Sequence, residues 1–253
     1  MKKIFAISIL LMSAMVLSPV YGNAQIATGN WYLQASSQLS SGGASQIPQI
    51  GGSLTQTGTI ISGVLHISDS KCFDFGVGIP VAGTVDGATV SLTSTGDSGE
   101  VITISGTASS NVITGTYSIQ AGCAQGDHGT VTAVLLAPAT GGWNGTVTSG
   151  KTASVASAAL SQDLPNDDGY SLLSGTITFA GSKCNVSGAF TDEQSWVLGN
   201  VVQGVAKLND GGVMALNGFI TDTSTAANKM TLNFSIKGGA CAGQTGSVTF
   251  LRP

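Results

Sequence analysis

The chain has 253 residues, a formal charge of −4 and only 9% charged residues, against a usual quarter or so. So few cations cannot neutralise many phosphates, which excludes nucleic acid as a natural partner. Apolar residues make up 42% and recur regularly, which excludes a disordered chain; Gly, Ser and Thr carry the polarity.

Lys2 and Lys3 precede an uncharged, mostly apolar run from Ile4 to Leu17, and small residues follow around Gly22 and Ala24. This is the layout of a secretory signal peptide over residues 1–24, and the apolar run is short of the roughly 20 residues a membrane-spanning helix needs. No Cys precedes Cys72, so nothing near the cleavage point can be acylated, and no later stretch is long and apolar enough to span a membrane as a helix. The expected product is exported to the periplasm or beyond. Removing Lys2 and Lys3 takes its formal charge from −4 to −6.

The remainder aligns with itself. Trp31 returns as Trp143, Cys72 as Cys184 and Gly106 as Gly218, all at an offset of 112; Tyr117 then pairs with Phe234 and Cys123 with Cys241 after a small insertion. The expected organisation is a first module over 25–138 and a second over 139–253. Leu136-Ala137-Pro138 is the only linker, so the modules should abut.

Within the first module, apolar and polar residues alternate over Val64–Ile67, Ala88–Leu92, Val101–Ser105, Ile113–Ile119 and Thr130–Leu135. Turn signals separate these runs, among them Asp86-Gly87 and Thr95-Gly96-Asp97-Ser98-Gly99. A period of two in β-branched and aromatic residues marks half-buried antiparallel strands. In the second module Met230, Leu232, Phe234 and Ile236 face one way, with Thr231, Asn233, Ser235 and Lys237 opposite. The fold class is therefore all-β: two tandem meander modules of about six to eight strands, each a small barrel or sandwich. Ser154–Gln162 is the one segment where a short helix could hide.

Four Cys at matching positions in an exported chain read as two disulfides. Duplication favours Cys72–Cys123 and Cys184–Cys241, because one ancestral module had to fold with its own bridge. No Cys-x-x-Cys is present, so no metal site is expected, and no cofactor motif occurs.

Each module opens on Gly-x-Trp, as Gly29-Asn30-Trp31 and Gly141-Gly142-Trp143, and Gly115-Thr116-Tyr117 follows in the first. This resembles the first-strand signature of the lipocalin and avidin barrels (the calycins), in which the Trp packs across the closed end. The resemblance implies a small meandering barrel with Trp31 and Trp143 as core anchors. It also implies an Arg over the Trp, for which Arg252 is the candidate in the second copy; the first copy has none. The second copy departs in having Leu232-Asn233-Phe234 where Gly-x-Tyr is expected.

Catalytic signals are absent. His66 alternates with Leu65 and Ile67 and should lie on a polar face; His128 follows Asp127 in a Gly-bounded turn. No Gly-x-Ser-x-Gly marks a nucleophile, and Glu100 and Glu193 make no convincing acid pair. The run from Asp163 to Gly169 is acidic but lacks the spacing of a calcium loop and reads as a turn. The copies differ most after the Trp and after the first Cys. The latter region places Phe73, Phe75 and Trp196 in predicted loops, as binding anchors or as plugs over a barrel mouth. The expected function is a non-catalytic envelope or surface-interaction protein. A tandem small-ligand-binding barrel is the alternative, and a hydrolase the distant one.

Overall fold

A computed structural model describes residues 26–38, 45–149, 152–181 and 184–253. The leader expected at 1–24 and Ser182-Lys183 of the second Cys motif lie outside the described residues.

The first module is a closed antiparallel barrel of β1 (Gly29–Ser37), β2 (Gln49–Thr57), β3 (Ile60–Ser68), β4 (Ile79–Asp86), β5 (Thr89–Thr95), β6 (Val101–Ala108), β7 (Val112–Gln120) and β8 (His128–Leu135). Each strand pairs with its sequence neighbour, and β8 returns to β1 with Leu135 opposite Trp31. Short turns enforce this order, and closure removes the open edges that would invite aggregation.

The period of two sorts residues in from out. Val90, Leu92, Ile102, Ile104, Ile113, Tyr117 and Val131 point inward and are buried. Outside, Ser91, Ser105, Thr116 and Thr130 stand in one cross-strand row. A barrel with hydroxyls outside and aliphatics inside is the reverse of a lipid-facing barrel, whose outer band is apolar. Among the described residues, no helix is long and apolar enough to cross a membrane.

The second module repeats the plan with β9 (Gly141–Ser149), β10 (Thr152–Gln162), β11 (Ser171–Ala180), β12 (Asn185–Phe190), β13 (Trp196–Leu198), β14 (Val201–Leu208), β15 (Val213–Ile220), β16 (Lys229–Lys237) and β17 (Thr245–Leu251). It closes through β9–β17 and β10–β11 pairing. β12 and β13 share one position between β11 and β14, interrupted by a 3-10 turn at Asp192–Gln194. At the break the buried Ser195 hydroxyl accepts a hydrogen bond from Val205 N at 3.0 Å, standing in for the missing backbone partner.

The helix allowed for at Ser154–Gln162 does not form. This segment is β10, with Ala156, Ala158 and Leu160 buried and Val155 and Ser157 exposed. Small residues obscure its period, but the two-residue alternation is there.

Each barrel carries one disulfide, Cys72–Cys123 and Cys184–Cys241, each with Cα atoms 5.5 Å apart. A carboxylate supports each Cys turn. Glu100 accepts from Cys123 N at 3.2 Å, and Asp210 accepts from Gly212 N at 3.0 Å and Ala240 N at 2.8 Å. These backbone donors, Gly212 foremost, hold the Asp210 carboxyl below its ordinary range.

Candidate functional site

Trp31 and Trp143 lie at equivalent places in the two cores and are 0% and 2% exposed. Each indole N–H donates to a carbonyl four residues earlier, Ala27 O at 3.1 Å and Ala139 O at 2.8 Å. The Arg252 guanidinium carbon lies 4.6 Å from the Trp143 ring centroid, and its Nη2 donates to Pro138 O at 2.6 Å. In the first barrel Leu135 takes that place: Leu135 N bonds to Asn111 O as Arg252 N bonds to Asn228 O.

Among the described residues, each barrel interior closes round a small cavity. A cavity of about 10 Å³ lies among Ile50, Leu65, Ile79, Leu92 and Ile104 in the first, and one of similar size lies among Leu160, Leu173, Ile177, Leu216 and Phe250 in the second. Each is at the lower limit for a single water molecule and, apart from Ser94 in the first, is lined by apolar residues.

The barrels meet along β1, β2 and β3. The first half of β1 is buried on both faces, because Trp31 and Leu33 enter its own core while Asn30 and Tyr32 are covered by the second barrel. Tyr32 belongs to the second barrel's core cluster, and burial pushes its hydroxyl pKa up. The Asn30 amide bridges to the turn before β14, donating to Gly199 O at 2.8 Å and accepting from Gly199 N at 2.6 Å.

His66 projects outward from β3, as its alternation implies, yet it is 1% exposed. The turn expected around Asp163–Gly169 folds over it. His66 Nε2 lies 2.9 Å from Asp168 O, and Nδ1 lies 2.8 Å from Phe75 O. The ring packs 4.9 Å from Tyr170 and 5.9 Å from Phe75, and Tyr170 packs 5.1 Å from Trp196. Burial, with Asp168 secondary, raises the Tyr170 pKa. Trp196 is therefore not a loop residue but the first residue of β13. It is half-buried, as is Phe75, and the two end a chain of rings that runs across the junction through His66 and Tyr170. Asn166 holds the covering turn by accepting from Asp168 N and Tyr170 N.

Gly199 makes the close approach possible. Its φ is +53°, and a Cβ there would lie 2.4 Å from Gly51 Cα. Left-handed backbone costs a side-chain-bearing residue about 1–2 kcal/mol, and crowding the contact adds about 1–3 kcal/mol. Gly199→Ala should therefore destabilise the chain well beyond Gly211→Ala, whose φ is +85° with open space around it. Urea unfolding of both variants checks this; equal losses would mean that the Gly51 contact contributes nothing.

At the mouth of the first barrel Phe73 packs against the core edge. It borders a cleft of about 300 Å³ together with Asp74, Val77, Asp97 and Glu100. Glu100, the residue before β6, is 1% exposed. So is Asp127, whose carboxylate accepts from Ser37 Oγ at 2.8 Å, Tyr117 Oη at 2.9 Å, Ser45 Oγ at 3.3 Å and Gln46 N at 2.7 Å. This cluster pins the chain before β2 to the barrel, and no sequence motif announced it. Burial, foremost, raises the Tyr117 pKa. His128 is exposed and bonds to Gly126 O at 2.9 Å, away from the Asp127 cluster. No group of three or more His, Cys, Asp or Glu among the described residues is arranged to hold a metal.

No family model matches the chain, and no curated protein matches it. Among solved structures it is similar to a protein of unknown function from the DUF3598 family of Nostoc punctiforme, with 8% identity, a TM-score of 0.26 and coverage of 91% of this chain and 96% of that one. It is also similar to Transferrin Binding Protein B from Haemophilus parasuis, with 10% identity, a TM-score of 0.22 and coverage of 91% and 76%.

Proposed function

We propose that this is an exported, non-catalytic interaction protein in which two filled barrels form a rigid scaffold and the outer surfaces make the contacts. The filling of the barrels carries this reading. Small-molecule sites are typically clefts of about 300–1,000 Å³, whereas each barrel interior holds a cavity of about 10 Å³. A calycin-type barrel without its cavity keeps the scaffold and loses the cup. The Trp143–Arg252 pair supports that kinship. Both His side chains are engaged by carbonyls, and Asp127 by four other donors, which leaves no acid–base relay between them. Export rests on the Lys2–Ala24 leader pattern, and the two disulfides fit an oxidising, non-cytoplasmic compartment.

Native mass spectrometry of the oxidised mature protein, purified from its own envelope fraction, tests the reading. The expected mass is that of the bridged polypeptide alone, and the protein should leave ester, peptide and glycoside substrates intact. A retained small molecule would restore the ligand-binding alternative, and turnover lost on changing His128 to Ala would restore the hydrolase.

A further inference from the structure

The two barrels are in register strand for strand, so the outside of one can be compared with the outside of the other position by position. On β5, β6 and β7 the row Ser91–Ser105–Thr116 faces out. The equivalent row on β14, β15 and β16 is Gln203–Asn217–Asn233. Two rows further along, Thr95–Val101–Gln120 in the first barrel corresponds to Lys207–Val213–Lys237 in the second. Four hydroxyls and one amide, that of Gln120, thus stand in the first barrel where the second carries three amides and two cations at one patch.

That patch is concave. A cleft of about 360 Å³ lies over Val205, Ala215 and Ser235, with the amide row along one bank. Lys207 and Lys237 flank the other bank at the next outward positions. Gln203, Asn217, Asn233, Lys207 and Lys237 are all exposed, and none of their side chains makes a hydrogen bond or ion pair among the described residues. Asp210, on the turn after Lys207, is occupied by Gly212 N and Ala240 N and does not neutralise the lysines. Phe219 lies two residues beyond Asn217 on the same face of β15 and is 47% exposed.

We infer that this cleft is the contact surface for a saccharide chain that carries carboxylates, a proposal that rests on the non-catalytic reading above. Each amide offers a donor and an acceptor, which is what a vicinal hydroxyl pair requires. Three neighbouring strands space them over about 10 Å, which accommodates a short run of linked pyranose rings. Phe219 gives the apolar ring face a surface to lie on. The two lysines select an acidic chain, against the net charge of −4 on the whole protein. The described cations are Lys71, Lys207, Lys229, Lys237 and Arg252, and all but Lys71 lie in the second barrel. Charge at the cleft is therefore local rather than a property of the chain.

The test is calorimetric titration of the full mature protein with oligogalacturonate, maltohexaose and polyglutamate. Oligogalacturonate should bind, while maltohexaose and polyglutamate should bind at least tenfold more weakly, since one lacks the charge and the other the hydroxyls. Asn217→Leu and the pair Lys207→Ala with Lys237→Ala should each weaken binding at least tenfold. The equivalent first-barrel pair Ser91→Ala with Thr116→Ala should leave it unchanged. All these positions are exposed, and each variant's thermal midpoint verifies folding. No binding of oligogalacturonate, equal binding of polyglutamate, or indifference to the cleft variants would overturn the proposal while leaving the non-catalytic reading in place. Shortened oligosaccharide recovered from the cell would overturn that reading and the proposal with it.

Discussion

Changing Trp143 to Ala is expected to destabilise the second barrel by about 3–5 kcal/mol, the range for emptying a buried aromatic site. The indole is 2% exposed, donates to Ala139 O at 2.8 Å and lies under the Arg252 guanidinium, so three contacts go at once. The loss should fall on one barrel. Urea unfolding should split into two transitions, an early one for the second barrel and a later one near the wild-type midpoint. Trp31 in the first core and Trp196 at the junction report the two by fluorescence. Arg252→Leu recreates the arrangement at Leu135 and should cost less, because a cation–π contact at a half-buried site contributes about 1–2 kcal/mol. A single transition shifted as a whole in Trp143→Ala would mean that the barrels unfold as one body, and that Tyr32 and the Asn30–Gly199 bridge couple them more strongly than this partition allows.

Losing either disulfide should cost about 4 kcal/mol by the chain-entropy relation. The bridges span 51 and 57 residues, so the two losses should be nearly equal. Cys72→Ser with Cys123→Ser is one variant, and Cys184→Ser with Cys241→Ser the other. Denaturation of each, beside wild type with and without reductant, gives the comparison. A midpoint indifferent to reductant would show that the bridges do not constrain the unfolded chain and would weaken the oxidising-compartment argument. A much larger loss for the second pair would point to packing, since Cys241 is 3% exposed while Cys72 is partly buried.

The barrels were legible residue by residue because their cause is local. Alternation places Leu232, Phe234 and Ile236 on one face and Thr231, Asn233 and Ser235 on the other, whatever the rest of the chain does. Turn residues order the strands, and duplication selects Cys72–Cys123 and Cys184–Cys241 over the other pairings. The strand in Ser154–Gln162 was harder to read because alanines alternate with serines at little contrast in hydrophobicity.

What tertiary structure alone decided is how the outside of each barrel is divided. His66, Asn30 and Tyr32 occupy outward positions that a period of two assigns to solvent, and all three are buried because the second barrel lies on β1–β3. Phe75 and Trp196, candidate anchors because they were expected in loops, stand half-buried in the ring contacts at the junction. Glu100 and Asp127 look like surface carboxylates until the Cys turn and the segment before β2 close over them. The Gln203–Asn217–Asn233 row is likewise invisible along the chain, since its members stand together only through the register of three strands. Side-chain alternation determines inside against outside within one barrel. Only docking and register determine which outside residues meet each other, which meet the neighbouring barrel and which remain in water.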